Sequence, residues 1–408
     1  MAGRESGTDQ RSSAVEVLLA FFRLGLTSFG GPVAHLAYFR SEFVDRRKWL
    51  DDRHYSDLVA LCQFLPGPAS SQVGMALGLG RAGWLGALAA WLGFTLPSAI
   101  ALILFALGVG HWSGLAQSGA LHGLKVVAVA VVAQAVWGMA RSLCPDRLRG
   151  GIGIGAALLV LALPTAHGQL LAIGLGGLIG WRALALPHLP PAMHGEYGEY
   201  GEYGLVKRAA GLLLLVFAGL LLGLPLLAAA IGGAGLAAFA EFYQAGSLVF
   251  GGGHVVLPLL QASVVPPGWI DNDTFLAGYG AAQAIPGPLF TFAAFLGAAM
   301  PLPLGGWTGG LLLLLAIFLP SFLLVVGALP YWESLRQRDA VRRAMGGINA
   351  AVVGLLGAAL YDPVWSSAIH TRADFGLALA AYGLLVFGRV SPVFVVALAA
   401  LGGWLLGG

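Results

Sequence analysis

Thirteen apolar stretches, most of them long enough to enter a lipid bilayer, follow one another along this sequence. Only 10% of the residues are charged, against roughly 25% in soluble domains, so the chain lacks the charge to cover a water-exposed surface. The sequence therefore predicts an all-α polytopic membrane protein with the lipid bilayer as a partner. The stretches cover residues 14–38, 56–78, 84–110, 119–140, 150–164, 168–186, 208–231, 236–263, 275–299, 305–329, 343–362, 374–388 and 392–406.

The remaining composition excludes several classes of function. The formal net charge of +3 is too small to indicate a nucleic-acid partner. Cys62 and Cys144 provide neither a disulfide framework nor a metal site, and we interpret both as packing residues. The sequence lacks the G-x-x-x-x-G-K-[ST] phosphate loop, which argues against a built-in ATPase, and we predict no cofactor and no metal.

A polar segment between the sixth and seventh stretches divides the chain. It reads LPHLPPAMHGEYGEYGEYG from Leu186 to Gly204, and its prolines and tandem Gly-Glu-Tyr units predict a flexible linker without a core. We predict five parts: a cytoplasmic tail (1–13), a first repeat (14–186), the linker (187–207), a connecting transmembrane helix (208–231) and a second repeat (232–408).

The two halves repeat each other at an offset of about 220 residues. Glycine matches alone would mean little in this composition, but tryptophan, glutamine, aspartate and whole Pro-Gly-Pro triplets also match in order. We therefore predict an internal duplication. Among the matched pairs are Gly25 and Gly246, Phe29 and Phe250, Trp49 and Trp269, Asp51 and Asp271, Gln63 and Gln283, Pro66 and Pro286, and Pro97 and Pro320.

The distribution of basic residues predicts that the second repeat is inverted. Loops on the cytoplasmic side carry an excess of Lys and Arg. The loop at 40–53 holds five basic residues, whereas its second-half counterpart, VVPPGWIDNDT, holds none. Conversely, the stretch His111–Ser118 lacks Lys and Arg, but its counterpart carries Arg336, Arg338, Arg342 and Arg343. Equivalent loops are thus expected on opposite sides of the membrane.

The same rule predicts that the first two stretches of each half are re-entrant, because only one net crossing fits between successive basic and charge-poor loops. Proline and glycine would break these stretches, and such breaks are tolerated in a membrane only where they face protein or water. The predicted helix-breaking prolines are Pro32, Pro66, Pro68, Pro286 and Pro288.

Inverted repeats with broken helices are typical of secondary transporters, which bind substrate between the repeats. A half-helix that starts inside the membrane directs backbone N–H groups into the cavity, an arrangement that favours an anion. The alternative is that the motifs only kink packed helices. The predicted binding glycines are Gly30, Gly31, Gly67, Gly251, Gly252 and Gly287.

Few ionisable or amide side chains lie inside the apolar stretches, and each is a candidate substrate ligand. Lys125 lies about six residues inside the segment that starts near Gly119, and its repeat equivalent is Asn349. We predict that Lys125 supplies charge to a bound anion, with snorkelling to the interface as the alternative. Arg23 is either an anion ligand or the partner of Glu16 in a buried ion pair.

Polar side chains next to the breaks form a second group of candidates. Gln63 and Gln283 precede the two Pro-Gly-Pro triplets and would bring amide donors to them; a helix–helix hydrogen bond is the alternative. His35, His54 and His254 show no metal-ligand spacing. We interpret them as structural, with a proton-linked role as the alternative.

Together these motifs resemble the chromate ion transporter family. The resemblance lies in FRLGLTSFGGPVAHL, the Gln-Phe-Leu-Pro-Gly-Pro run from Gln63, VFGGGHVVLPLL, the Gln-Ala-Ile-Pro-Gly-Pro run from Gln283 and NAAVVGLLGAALYDPV. It covers nearly the whole chain, as in a long-chain, two-domain member. It implies a multi-pass protein of the bacterial inner membrane that exports chromate from the cytoplasm and confers chromate resistance.

Three alternatives to chromate export stay open. A sulfate or general oxyanion carrier would share the architecture, because sulfate is also a tetrahedral dianion. An intramembrane lipid-modifying enzyme would use Asp51, His54 and Asp57 for acid–base chemistry, although solvated surface charge is the ordinary expectation there. A structural scaffold would leave the paired breaks unexplained. Proton coupling and a homodimer are also left open by the sequence.

Overall fold

The computed structural model describes residues 13–111, 119–185, 207–301 and 303–406. Three predicted parts lie wholly or almost wholly outside these ranges: the tail 1–13, the charge-poor loop 111–118 and the linker 187–207. Across the described residues the chain forms helices and turns without a strand, so the predicted all-α fold class is confirmed.

The first half contains seven helices within its described residues. A π-helical turn, Arg40–Arg46, extends the second of them. The helices are α1 (Ala14–Thr27), α2 (Gly31–Phe39), α3 (Asp52–Phe64), α4 (Ala69–His111), α5 (Gly119–Leu143), α6 (Arg147–Ala162) and α7 (Ala166–Ala183).

The rest of the described chain contains the connecting helix α8 and eight further helices, α9 to α16. Short helical turns lie between them at Gly253–Val255, Leu289–Thr291, Leu329–Tyr331, Trp332–Arg336, Leu360–Trp365 and Ser366–Ala368. The helices are α8 (Lys207–Ile231), α9 (Ala234–Leu248), α10 (Val256–Val264), α11 (Asn272–Ala282), α12 (Phe292–Ala299), α13 (Gly306–Ala328), α14 (Asp339–Ala359), α15 (Arg372–Val386) and α16 (Pro392–Leu406).

Five helical spans of the described chain are long and apolar enough to cross a bilayer. On α8 several large apolar side chains are exposed, for example Leu215 at 70% and Leu226 at 72% of their surface. An apolar surface of this kind suits contact with lipid. The spans are Ala69–Gly108, Gly119–Leu143, Lys207–Ile231, Gly306–Arg336 and Asp339–Ala368.

Helices α1 and α2 form the first re-entrant arm. The chain leaves the helical conformation after Thr27 and resumes it at Gly31, with Gly30 at φ 102°. At the open end of the arm, an Arg47 guanidinium nitrogen lies 3.1 Å from a carboxylate oxygen of Glu16. Both ends of the arm therefore lie on the same side of the molecule.

Helix α3 and the beginning of α4 form the second re-entrant arm. The Pro66-Gly67-Pro68 triplet separates the two helices. Helix α4 then kinks at Gly83, where φ is 62°. Just before this kink the Arg81 guanidinium lies 5.5 Å from the centre of the Trp49 ring, which precedes α3. The second arm thus returns to its starting side, and the part of α4 after Gly83 makes the crossing.

The second half begins with the equivalent arms. Helices α9 and α10 are interrupted at Gly251 and Gly252, and the Ser263 hydroxyl donates to a Glu241 carboxylate oxygen at 2.8 Å to join the two limbs. Helices α11 and α12 are interrupted around the second Pro-Gly-Pro triplet. The predicted broken helices are therefore present in both repeats.

Ion pairs connect loops that are not equivalent in the repeat. Arg336 lies 3.6 Å from Asp57, which brings the basic segments of both halves to one face, termed here the arginine-rich face (40–53 and 336–343). Because α4 crosses after its kink at Gly83, the start of α5 lies at the opposite face, and there Lys125 Nζ lies 2.9 Å from Asp273, at the end of the charge-poor VVPPGWIDNDT loop. The loop equivalent to 40–53 therefore lies at the opposite face, as inverted repeats require.

Candidate functional site

The broken segments of the two halves are hydrogen-bonded to each other reciprocally. The Gly67 amide donates to the carbonyl of Val249 at 2.7 Å, and the Gly287 amide donates to the carbonyl of Ser28 at 3.1 Å. Gly67 is the repeat equivalent of Gly287, and Ser28 of Val249. An exchange of this kind is the signature of a twofold relationship between two similar units.

Glycine is required at both donor positions. Gly67 has φ 120° and Gly287 has φ 104°, a region that side chains rarely adopt. A Cβ atom on Gly67 would collide with the hydroxyl of Ser321, and one on Gly287 would lie 2.8 Å from the hydroxyl of Ser98. Because Ser98 and Ser321 are also repeat equivalents, both Pro-Gly-Pro breaks pack against the other half in the same way.

A cavity of about 260 Å³ lies beside these contacts. Liquid water takes about 30 Å³ per molecule, so the cavity is large enough for several waters or for one tetrahedral oxyanion. Both halves contribute to its wall. The lining residues include Gly30, Gly31, Pro32 and His35 from the first break and α2, Gln134 from α5, His254, Gln283 and Gly287 from the second half, and Arg389 from the turn between α15 and α16.

Buried polar groups line this cavity. The amide nitrogen of Gln283 and Nε2 of His35 have no hydrogen-bond partner of normal geometry among the described residues. His35 Nδ1 lies 3.4 Å from the Ser70 hydroxyl, and His254 Nδ1 lies 2.8 Å from the Tyr279 hydroxyl. Buried polar groups normally have partners, so the unpaired ones mark a place where water or a ligand binds.

The cavity brings together some of the residues predicted from sequence. Gly30, Gly31, Pro32, Gln283 and Gly287 all line it. Arg389 and Gln134, which also line the cavity, were not predicted from the sequence. Gln134 could have been noticed as an amide within the apolar run 119–140, and Arg389 as a cation between two short apolar runs.

Lys125 lies away from the cavity lining, in the ion pair with Asp273 described above. Its side chain is only 14% exposed, whereas that of Asp273 is 68% exposed. The contact joins α5 of the first half to the first turn of α11 in the second half. In this conformation the charge of the ammonium group is balanced by Asp273, which makes it a weaker attractor for an anion.

Asn349 and the second glycine break form another group. The side-chain oxygen of Asn349 is buried without a partner among the described residues and would lie 3.5 Å from a Cβ atom on Gly251. The two glycine-rich breaks approach each other, since a Cβ on Gly253 would lie 3.6 Å from the Pro32 ring. Asn349 and Gly251 therefore lie close to the cavity-lining break without lining the cavity itself.

Arg23 and Gln63 are exposed, on α1 and at the end of α3 respectively. Arg23 does not pair with Glu16, whose carboxylate is bound by Arg47 instead. This alternative interpretation of Arg23 was wrong, because the re-entrant arm brings Arg47 back to the start of α1.

The carboxylates considered for an enzyme have structural contacts. Asp51 caps α3 by accepting a hydrogen bond from the His54 amide at 2.8 Å, and its other oxygen lies 2.7 Å from His54 Nδ1. Asp57 pairs with Arg336. Among the described residues there is also no group of three His, Cys, Asp or Glu side chains that could hold a metal ion.

Two carboxylates of the arginine-rich face have lowered pKa values. Partial burial opposes ionisation of Glu42, but hydrogen bonds from Arg46 and Arg47 outweigh it and hold the pKa of Glu42 below its ordinary value. Hydrogen bonds from the His54 amide and ring lower the pKa of Asp51. Both groups are therefore ionised at neutral pH, so the face carries closely paired charges of both signs.

Comparison with known proteins gives consistent matches along both halves. The family model described as chromate transporter matches residues 15–181 and 236–404. The chromate transport protein of Pseudomonas aeruginosa is 29% identical over 96% of this chain and 92% of its own length. That of Cupriavidus metallidurans is 27% identical over 95% and 91%, respectively. An uncharacterized transporter of Methanocaldococcus jannaschii is 26% identical over 84% and 83%. No solved structure matches the chain.

Proposed function

Because this chain belongs to the chromate transporter family, we propose that it exports chromate from the cytoplasm across the bacterial inner membrane and so confers resistance. The single observation that carries the proposal is the cavity between the two halves, bounded by the glycine breaks and lined by polar groups that make no hydrogen bond of normal geometry to the described residues. Donor groups that lack partners suit an oxyanion, which accepts hydrogen bonds at every oxygen.

The membrane potential is sufficient to drive this export. Moving one charge through 100 mV is worth about 2.3 kcal/mol, so a dianion that leaves a negative-inside cell gains roughly 4 to 5 kcal/mol. Transport then needs only alternating access, in which the inverted halves rock about the shared cavity. The reciprocal contacts of Gly67 and Gly287 support a movement in which both halves change together.

Substrate contacts are proposed to change during this cycle. In the present conformation the anion would bind the amide of Gln283 and the backbone of Gly30 and Gly31. Separation of Lys125 from Asp273 would open the opposite face and free the ammonium group to meet the anion there. The second half would contribute Asn349, Gly251 and Gly252 to binding of the anion. The exposed Arg23 and Gln63 would contact the anion only before it enters the cavity.

The decisive experiment measures radiolabelled chromate flux into everted membrane vesicles, with the imposed potential and the pH gradient varied separately. We expect uptake that increases when the vesicle interior is made positive. If chromate uptake at zero potential depends on the pH gradient, transport is coupled to protons. Vesicles without the protein, and vesicles with Gly67→Val, serve as controls.

Two outcomes distinguish the alternatives. Strong inhibition by excess sulfate would favour a general oxyanion carrier, which shares the same cavity. Absence of any chromate flux, together with altered lipid headgroups in the same membranes, would contradict transport and favour the lipid-modifying enzyme.

A further inference from the structure

One cation lines the cavity among the residues that the structure describes, and it is Arg389. The rest of the described lining consists of apolar, amide, imidazole, hydroxyl and backbone groups, without a carboxylate. In the described part of the chain, Arg389 also has no carboxylate within ion-pair distance. A guanidinium beside a cavity, without a fixed counter-charge, is arranged to attract an anion from solution.

The depth of Arg389 follows from the packing of α15 and α16. Each helix has 15 residues, or about 22 Å, which is shorter than the apolar core of a bilayer at about 30 Å. Gly403, near the end of α16, packs against the backbone of Gly119 at the start of α5. Because the helices run in opposite directions, the turn before α16 lies beside the middle of α5, and Arg389 shares the cavity with Gln134 there.

The backbone of this turn holds Arg389 in an unusual conformation. Its φ is 50°, in the left-handed region, where residues other than glycine and asparagine are uncommon. The amides of Phe387 and Gly388 both donate to the carbonyl of Gly383, and the Val390 amide donates to the carbonyl of Leu384, each at 3.0 Å. These hydrogen bonds fix the backbone of the turn, so the exposed Arg389 side chain starts from a defined position beside the cavity.

Neutral donors surround the same space from other elements. The Gln283 amide nitrogen comes from the end of α11 and His35 Nε2 from α2, and neither makes a hydrogen bond of normal geometry to the described residues. A guanidinium offers two parallel N–H groups to two oxygens of a tetrahedral dianion, which leaves the other two oxygens for neutral donors. The charges and donors therefore match one dianion better than a cation or an apolar molecule.

We propose that Arg389 binds the charge of the transported oxyanion in the cavity and that Gln283 and His35 bind its remaining oxygens. This inference rests on the proposed function, since it assigns the principal charged ligand of the same transport site. It differs from the prediction that Lys125 has this role. Arg389 acts in the conformation described here, in which Lys125 is paired with Asp273.

Equilibrium binding of chromate to the purified full-length protein in detergent tests the proposal. Isothermal titration calorimetry would compare the wild type with Arg389→Ala, Arg389→Lys and the matched control Arg372→Ala. Arg372 is exposed at the other end of the same helix, so its removal changes the net charge equally. We expect Arg389→Ala to weaken binding by about tenfold or more, because a charge-assisted bidentate contact is lost.

Arg389→Lys keeps the charge but loses the planar pair of donors, and we expect binding several-fold weaker than in the wild type. Arg372→Ala should bind as the wild type does. Gel filtration and thermal unfolding without anion would establish that each variant is folded. If Arg389→Ala does not fold, the comparison of Arg389→Lys with the wild type decides.

The two proposals fail in different ways. If the wild type binds and transports chromate, and the folded Arg389 variants do so equally well, the role of Arg389 is wrong and the proposed function stands. If the wild type itself neither binds nor transports chromate, the proposed function fails and the role of Arg389 fails with it.

Discussion

The amide of Gly67, in the first half of the chain, donates a hydrogen bond to the carbonyl of Val249 in the second half at 2.7 Å. Its repeat equivalent, Gly287, donates to Ser28 in the opposite direction. Each broken helix therefore completes the backbone hydrogen bonding of the other half. In a bilayer, where unsatisfied backbone groups are costly, these contacts stabilise the association of the two halves.

Substitution of the two donor glycines is expected to destabilise the protein. Gly67→Ala and Gly287→Ala each place a Cβ in an unfavourable backbone region and against a serine hydroxyl, at a cost of about 1–3 kcal/mol. Thermal unfolding of the purified variants measures the effect. Gly138→Ala, on an exposed helical position with open space around it, is the control and should not be destabilised. Equal stability of all three variants would contradict the requirement for glycine at the two donor positions.

Lys125→Ala is expected to abolish chromate transport while the protein still inserts into the membrane. The substitution removes the ammonium group that we propose meets the anion when the opposite face opens, and it leaves Asp273 without its partner. Vesicle flux and the amount of membrane-inserted protein would be measured together. Lys207→Ala, at the exposed start of α8, is the matched control. Wild-type flux in Lys125→Ala would remove this lysine from the transport path.

Inverted topology predicts opposite accessibility for equivalent loops. We expect a cysteine in place of Arg46 to be protected from an impermeant maleimide in intact cells, and one in place of Pro267 to be labelled. Both positions are exposed, and the native cysteines would first be replaced. A cysteine at Arg338 should behave like the one at Arg46, because both lie on the arginine-rich face. Labelling of the Arg46 and Pro267 positions from the same side would contradict the inverted arrangement.

Stability should depend on the charge of Glu42 at low pH. Its pKa is lower in the folded protein than its ordinary value of 4.5, so folding favours the ionised carboxylate. The stabilisation is complete above pH 4.5 and is lost as the pH falls through the lower, folded pKa. Glu42→Gln should lose about 1–3 kcal/mol at neutral pH and should show less dependence in this window. Thermal unfolding of the wild type and of Glu42→Gln, measured over a range of pH, tests this prediction. The same dependence of stability on pH in both proteins would contradict it.

Much of the fold could be predicted because its signals are local or periodic. Local motifs predict the helix breaks, namely the Pro-Gly-Pro triplets and the glycine pairs. The positions of the basic loops predict the inverted repeats. The numbers of Lys and Arg in successive loops predicted that each re-entrant arm returns to its starting side. Contacts of Glu16 with Arg47 and of Arg81 with Trp49 give that return its geometry.

The site was harder to predict because its contacts join distant parts of the chain. No local pattern indicates that Lys125 meets Asp273, since the pair depends on how two halves pack. Likewise, Arg389 resembles an ordinary loop cation until the shortness and packing of α15 and α16 place its turn beside Gln134. A charge in a short gap between apolar runs of only 15 residues is the signal that could have found it.

The reciprocal hydrogen bonds also order the events of biosynthesis. When the first half leaves the ribosome, the carbonyl of Ser28 and the amide of Gly67 have to wait for partners that are translated much later. The first-half arms can therefore complete these backbone hydrogen bonds only after the second half has been inserted. Maturation of this protein should accordingly be a late, single step that follows synthesis of the whole chain.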